Sequence, residues 1–128
     1  MPDLLREHLP GTVMLVEDGT AIRTLQRFVL ARTGLRVLEY ADLPEAENAL
    51  EHFTPGVIVL DLNLPSGNGL NLLTHINRSA TKVVVMTSMA QEHVEERCED
   101  AADAFLPKPF DPDIFIEVVQ RLLPLAHA

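Results

Sequence analysis

The 128 residues of the chain suffice for one domain with its own hydrophobic core and leave no room for a second domain of ordinary size. The net charge of −9 argues against direct nucleic-acid binding, and the 47% of hydrophobic residues argues against a disordered chain. The single cysteine, Cys98, excludes an internal disulfide, and no apolar run reaches the roughly 18 residues of a membrane span. The first residues of the chain include charged side chains and do not form a secretory signal. We therefore expect a cytoplasmic protein with no membrane contact.

Five short apolar runs predict five β-strands. Most of these runs are rich in Val, Ile and Leu without polar alternation, which is typical of strands that are covered on both faces of a parallel sheet. The predicted strands cover residues 12–16, 36–40, 57–60, 82–86 and 104–106.

Amphipathic segments between these runs predict five helices. The first is expected to have Thr20 as its cap, to end at Gly34 and to bury one stripe formed by Ile22, Leu25, Phe28 and Val29. The next three cover residues 43–53, 69–78 and 91–100, and the fifth begins with Asp111 as cap and Pro112 in its first position. Strands and helices that alternate with short connections predict an α/β fold, a doubly wound five-stranded parallel sheet in three layers.

Four of the five predicted strands end in polar side chains. In such sheets ligands bind outside the carboxyl ends of the strands. Carboxylates from two neighbouring strands repel one another unless a cation lies among them, and oxygen ligands favour Mg²⁺. A lysine and a hydroxyl opposite the cation complete a site for a phosphoryl group, with a carboxylate as its acceptor. The residues in question are Glu17 and Asp18, Asp61, Thr87 and Ser88, and Lys108.

Four segments in this order carry a resemblance to a known family. They are Val16-Glu17-Asp18, Asp61-Leu62-Asn63-Leu64-Pro65 with Gly67 and Gly69-Leu70, Met86-Thr87-Ser88, and Phe105-Leu106-Pro107-Lys108-Pro109-Phe110. Together they resemble the receiver domain of two-component response regulators, from Thr12 to about Leu123. The resemblance implies a flavodoxin-like (βα)5 fold with strand order 2-1-3-4-5. The expected organisation is an N-terminal extension (1–11), a receiver domain (12–125) and a C-terminal tail (126–128).

The resemblance also implies a metal site and a phosphoryl acceptor. Asp61 would be the phospho-acceptor. Asp18, Asp61 and the backbone carbonyl of Asn63 would bind Mg²⁺, with Mn²⁺ as a substitute. Glu17 would act mainly through a bound water.

The remaining roles concern the phosphoryl group and the switch. Lys108 would pair with Asp61 and later bind a phosphoryl oxygen, and the Lys108–Pro109 bond would be cis. The Thr87 hydroxyl and the Ser88 N–H would contact the phosphoryl group. As Thr87 moves, Phe105 would turn inward, so that the switch is read by packing alone because Phe has no hydroxyl.

The implied function is that of a phospho-accepting signalling domain in a phosphorelay, not an enzyme. A sensor histidine kinase or a phosphotransfer protein would supply the phosphoryl group. The face formed by the fourth helix, fifth strand and fifth helix would then control a partner or an output domain. Apolar residues beyond the core stripe of the last helix also predict a homodimer or partner contact there: Ile114, Ile116, Val118, Leu123 and Leu125.

Two alternatives stay open. A phosphatase of the haloacid-dehalogenase type also uses an Asp nucleophile, a Thr, a Lys and Mg²⁺, but it usually has a second Asp where this chain has Asn63. A pseudo-receiver keeps the fold as an interaction module without phosphorylation. Pseudo-receivers typically lose the acceptor or the acidic pair, both of which are present here.

Overall fold

A five-stranded parallel sheet forms the centre of the protein, in a computed structural model that describes residues 6–64, 67–88 and 102–123. Its strands are β1 (Glu7–Val16), β2 (Arg36–Tyr40), β3 (Phe53–Asp61), β4 (Lys82–Thr87) and β5 (Ala104–Pro107). They lie in the order β2-β1-β3-β4-β5, so the predicted order 2-1-3-4-5 is confirmed. A short antiparallel hairpin, Asn63–Leu64 with Gly67–Asn68, follows the third strand.

Helices cover both faces of this sheet. They are α1 (Thr20–Ala31), α2 (Leu43–Leu50), a 3-10 helix (Gly69–His75) and α3 (Pro112–Leu122). The cap predicted for the last helix is confirmed, because the Asp111 side chain accepts hydrogen bonds from the backbone N–H groups of Asp113 and Ile114. The predicted third helix is a 3-10 helix instead of an α-helix, and the predicted fourth helix lies outside the described residues.

Two hydrophobic layers hold the helices to the sheet. Successive residues of a buried strand point to opposite faces, and β1 shows this directly. Met14 and Val16 belong to the layer under α2 and the 3-10 helix, whereas Val13 and Leu15 belong to the layer under α1 and α3. The predicted three-layer α/β architecture is therefore confirmed.

Two element boundaries differ from the sequence prediction. β1 begins at Glu7, within the segment expected to be an extension, and its first residues pair with the start of β3. α2 ends at Leu50 instead of continuing to residue 53, and Phe53 begins β3. The helix ends in a tightened last turn, in which the backbone N–H groups of Glu51 and His52 donate to the Asn48 and Ala49 carbonyls at 3.2 and 3.0 Å.

The buried face of α1 was predicted only in part, because Val29 is buried as expected but two other residues of the expected stripe are exposed. Leu25 and Phe28 are 46% and 70% exposed, while Gln26, Val29 and Leu30 are buried. The helix thus turns the face with Val29 and Leu30 toward the sheet, and this orientation also places the Gln26 side chain in the core. Thr20 is the first helical residue instead of the cap. The cap position belongs to Gly19, whose carbonyl accepts a hydrogen bond from the Arg23 N–H at 2.9 Å.

The excess of apolar residues on α3 is largely used inside the fold. Val118 and Leu123 are buried in the layer shared with α1, and Ile116 is partly buried there. Within the described ranges, Ile114 is the large apolar side chain of this helix that remains exposed, at 49%. None of the described helices has both the length and the apolar character needed to cross a bilayer.

Candidate functional site

Three carboxylates meet where β1 and β3 end. Glu17 and Asp18 follow Val16, which lies opposite Leu60 in the sheet, and Asp61 follows Leu60. One carboxylate oxygen of each of the three residues lies within 4.8 Å of the others. Glu17 and Asp61 are buried, whereas Asp18 is exposed. The parallel register of β1 and β3 therefore brings together the acidic residues that the sequence pattern predicted to be close.

Lys108 reaches this cluster from the end of β5. Its Nζ lies 2.6 Å from Oε1 of Glu17 and 3.0 Å from Oδ2 of Asp61. The backbone N–H of Lys108 donates to the Thr87 carbonyl at 3.0 Å, which fixes the segment after β5 against the end of β4. The Lys108–Pro109 peptide bond is cis. The ammonium group thus faces two carboxylates at once.

Burial and nearby charges shift the pKa values of Glu17 and Lys108. Burial raises the pKa of Glu17, and the nearby Asp61 charge adds to this, while hydrogen bonds from Lys108 and the Gly19 N–H oppose it. Burial lowers the pKa of Lys108, but hydrogen bonds to Glu17 and Asp61 outweigh burial, and the net pKa lies above its ordinary value. Lys108 therefore remains an ammonium group at neutral pH and compensates part of the clustered negative charge.

The donor set suits a hard divalent cation. Carboxylates supply oxygen ligands only, which is the preference of Mg²⁺. Both oxygens of Glu17 already have protein partners, Lys108 for Oε1 and the Gly19 N–H for Oε2 at 3.0 Å. The exposed Asp18 is thus better placed than Glu17 to bind a cation directly, and an indirect role for Glu17 fits its contacts.

The other predicted site residues lie on the neighbouring strands. Thr87 is buried at the end of β4, next to the Met86 position that pairs with Asp61, and Ser88 is exposed immediately after it. Phe105 lies in β5 opposite Val85 and is partly buried against the layer under α2. The backbone of Asn63 belongs to the short hairpin two residues after Asp61.

Two contacts of the backbone around the carboxylates were not predicted from the sequence. The Gly69 N–H donates to the Leu62 carbonyl at 2.9 Å, and a Cβ atom at Gly69 would collide with the Asp61 carbonyl oxygen. Nη1 of Arg23 donates to the Glu17 carbonyl at 2.7 Å. The signal for the second contact was an arginine in the first turns of a helix that directly follows the acidic pair.

A family model described as the response regulator receiver domain matches residues 13–120. The chain belongs to this family. Among curated relatives of this receiver domain, the phosphate regulon transcriptional regulatory protein PhoB of Escherichia coli K12 is 34% identical over 123 residues, covering 89% of this chain and 54% of PhoB. The KDP operon transcriptional regulatory protein KdpE of the same organism is 36% identical over 100 residues, covering 77% of this chain and 44% of KdpE. The receiver chain thus spans about half the length of these curated relatives.

Solved receiver domains share its fold. The BeF3-activated receiver domain of DrrB, a Thermotoga maritima protein, is 29% identical with a TM-score of 0.77, covering 88% of this chain and 97% of that one. The receiver domain of the Pseudomonas aeruginosa PAO1 sensor kinase PA1611 is 26% identical with a TM-score of 0.77, covering 89% and 98% of the two chains. That structure contains a magnesium ion in its active site cleft.

Proposed function

We propose that this receiver domain accepts a phosphoryl group on Asp61 in a Mg²⁺-dependent reaction and passes the signal on by changing shape. One observation carries the assignment. The Asp61 carboxylate is buried, lies 3.0 Å from the Lys108 ammonium and shares a cluster with the Glu17 and Asp18 carboxylates. Such an arrangement can hold a tetrahedral anion between a divalent cation and an ammonium group.

The transfer itself needs little covalent chemistry from the protein. A carboxylate oxygen of Asp61 attacks the phosphorus atom of the donor, and the phosphorus–nitrogen bond of a phosphohistidine breaks with its electron pair returning to the imidazole. Lys108 gives up part of its contact with Asp61 and binds a phosphoryl oxygen. A divalent cation on Asp18, Asp61 and the Asn63 carbonyl, Mg²⁺ or Mn²⁺, would stabilise the negative charge on the transferring group.

The proposed switch involves the ends of β4 and β5. Phosphorylation adds a charge of about −1.5 to −2 near Thr87, whose hydroxyl would donate to the phosphoryl group together with the Ser88 N–H. Movement of Thr87 leaves space for Phe105 on the neighbouring strand. The partly buried position of Phe105 supports this, because a ring that is only partly covered by the core can still become more buried.

The proposed partners follow from this chemistry. A sensor histidine kinase or phosphotransfer protein would donate the phosphoryl group in the cytoplasm, and the domain would act without enzymatic turnover beyond its own phosphorylation and dephosphorylation. The signal would reach a partner or output domain through the face that contains β5 and α3. Among the described residues of this face, Ile114 is the exposed large apolar side chain that a homodimer contact could use, and Leu125 lies outside the described residues. We propose a receiver domain over residues 12–125, to which β1 pairing adds residues from Glu7, followed by a tail over 126–128.

The direct test is phosphorylation by a small donor. The wild-type chain is incubated with acetyl phosphate and Mg²⁺ and analysed by intact mass spectrometry, with Asp61→Asn and an excess of EDTA as controls. We expect a mass increase of one phosphoryl group in the wild type that is absent in both controls. An unmodified wild type would favour a pseudo-receiver, whereas catalytic turnover of a simple phosphomonoester would favour a phosphatase.

A further inference from the structure

We infer that Arg23 is a positioning residue for the divalent cation site, a step that rests on the proposed function. Arg23 contacts the turn that carries Asp18 on both sides of that residue, at Glu17 and at Gly19. Its side-chain Nη1 donates to the Glu17 carbonyl at 2.7 Å, and its backbone N–H donates to the Gly19 carbonyl at 2.9 Å. We call these two contacts the Arg23 clamp.

The clamp acts on Asp18 through the backbone on either side of it. The Asp18 side chain is exposed, so the direction of its carboxylate depends on the backbone of the turn. The Glu17 carbonyl belongs to the peptide that joins Glu17 to Asp18, and a hydrogen bond to this oxygen fixes the plane of that peptide. The opposite side of Glu17 is held by its N–H, which donates to the Tyr40 carbonyl of β2 at 3.0 Å.

A carboxylate on β2 aims the guanidinium group. Oε1 of Glu39 lies 3.5 Å from Nε of Arg23, and Oε2 lies 3.0 Å from Nη1 of Arg27. The Arg23 side chain is 19% exposed and that of Arg27 is 52% exposed. Both arginines therefore connect α1 to β2, but among the described contacts Arg23 binds the turn that carries Asp18, whereas Arg27 binds Glu39. This difference provides a matched control within the same ion-pair group.

The experiment compares Arg23→Gln with Arg27→Gln in the 128-residue chain. Isothermal titration calorimetry gives the Kd for Mg²⁺, and urea unfolding in EDTA gives the stability without a cation. We expect Arg23→Gln to raise the Kd about 10-fold, as is typical when a residue that orients a metal ligand is lost. Arg27→Gln should change the Kd by less than about twofold, since an exposed ion pair contributes little. Arg23→Lys, which retains a donor, should restore part of the affinity.

Each other outcome decides the matter. An unchanged Kd in Arg23→Gln, or equal increases in the two glutamine variants, would mean that Arg23 serves only to join α1 to β2 and would overturn the inference. If Arg23→Gln does not fold, Glu39→Gln replaces it in the experiment. Without the Glu39 carboxylate the Arg23 side chain is held less firmly, so the Kd for Mg²⁺ should rise by a smaller factor. An unchanged Kd in Glu39→Gln would overturn the inference. A wild-type chain that binds no Mg²⁺ would instead remove the proposed function on which the inference rests.

Discussion

Lys108 lies between Glu17 and Asp61, with its Nζ 2.6 Å from the first carboxylate and 3.0 Å from the second. One ammonium group therefore compensates two buried carboxylates in the unphosphorylated protein. An incoming phosphoryl group would compete with both carboxylates for the same ammonium group. Binding of Lys108 to the phosphoryl group would weaken its ion pairs with Glu17 and Asp61. Lys108 therefore cannot keep both ion pairs in full and bind the phosphoryl group at the same time.

Replacing Lys108 by Gln should slow phosphorylation of Asp61 strongly. The variant loses the positive charge that faces the transferring group, and a lost electrostatic contact of this kind typically costs about 100-fold or more in rate. The rate of mass gain with acetyl phosphate and Mg²⁺ measures this. Lys82→Gln is the matched control, because Lys82 starts β4 five residues before Thr87, about 16 Å away along the strand. Equal rates in the two variants would contradict the role assigned to Lys108.

The pKa of Glu17 predicts how stability depends on pH in the absence of a divalent cation. Because burial raises this pKa in the folded state, the stability that a protonated Glu17 contributes is present at acidic pH and is lost as the pH rises through the folded-state pKa. Glu17→Gln should therefore gain stability relative to the wild type between acidic and neutral pH. Urea unfolding in EDTA at several pH values measures the difference.

The control for this pH series is Glu117→Gln, which removes one negative charge from an exposed position on α3. It should show a nearly constant difference from the wild type across the same range. A difference between Glu17→Gln and the wild type that stays constant, or that falls toward neutral pH, would argue against a raised Glu17 pKa.

Gly69→Ala should disturb the acceptor, although residue 69 carries no functional group. An added Cβ would collide with the Asp61 carbonyl oxygen, so the backbone around the acceptor must shift, at a cost of about 1–3 kcal/mol. Gly34→Ala is the control. Gly34 has a φ of +78° with nothing near its Cβ position, and alanine there costs about 1–2 kcal/mol through backbone strain alone.

The two glycine variants should thus lose similar stability but differ in function. Gly69→Ala should accept phosphate from acetyl phosphate more slowly than the wild type, whereas Gly34→Ala should keep the wild-type rate. If both variants react at the wild-type rate, the close approach of Gly69 to Asp61 has no bearing on the acceptor.

The positions of the residues that follow the strands were predictable from the sequence, because a parallel sheet leaves little freedom at the ends of its strands. Once β1, β3, β4 and β5 lie side by side, the residues that follow them must meet at one edge, and no side-chain detail is needed. The ion pair of Lys108 with Glu17 was not predicted, because it depends on the side-chain conformations of both residues, which the strand pattern does not specify.

The phase of α1 shows the opposite case. Leu25, Phe28 and Val29 form as plausible an apolar stripe as the true one, and a sequence pattern gives no reason to bury a glutamine. The orientation of α1 is decided by tertiary packing of Val29 and Leu30, which belong to one continuous layer with Phe115. Periodicity in a helix of 12 residues cannot separate two faces that differ by a shift of one residue, a rotation of about 100°.

The buried Gln26 offers a test of this packing. Its side chain is 1% exposed, its Nε2 lies 3.2 Å from the Met86 sulfur, and within the described residues its Oε1 has no hydrogen-bond partner. A thioether is a weak acceptor, so the amide gains little from its contact with Met86. Gln26→Met keeps the length of the side chain and removes both polar groups. We expect it to raise the free energy of unfolding by about 1–2 kcal/mol in urea denaturation.

The comparison for this variant is Gln120→Met at an exposed position of α3, where the amide remains hydrated. That substitution should change the free energy of unfolding by less than about 0.5 kcal/mol. A clear loss of stability in Gln26→Met would mean that the amide is satisfied in solution, for instance by a buried water bound to Oε1. Because Met86 directly precedes Thr87 on β4, the same variant also shows whether the contact of Gln26 with Met86 matters for phosphorylation. An unchanged reaction with acetyl phosphate would confine the role of Gln26 to the core.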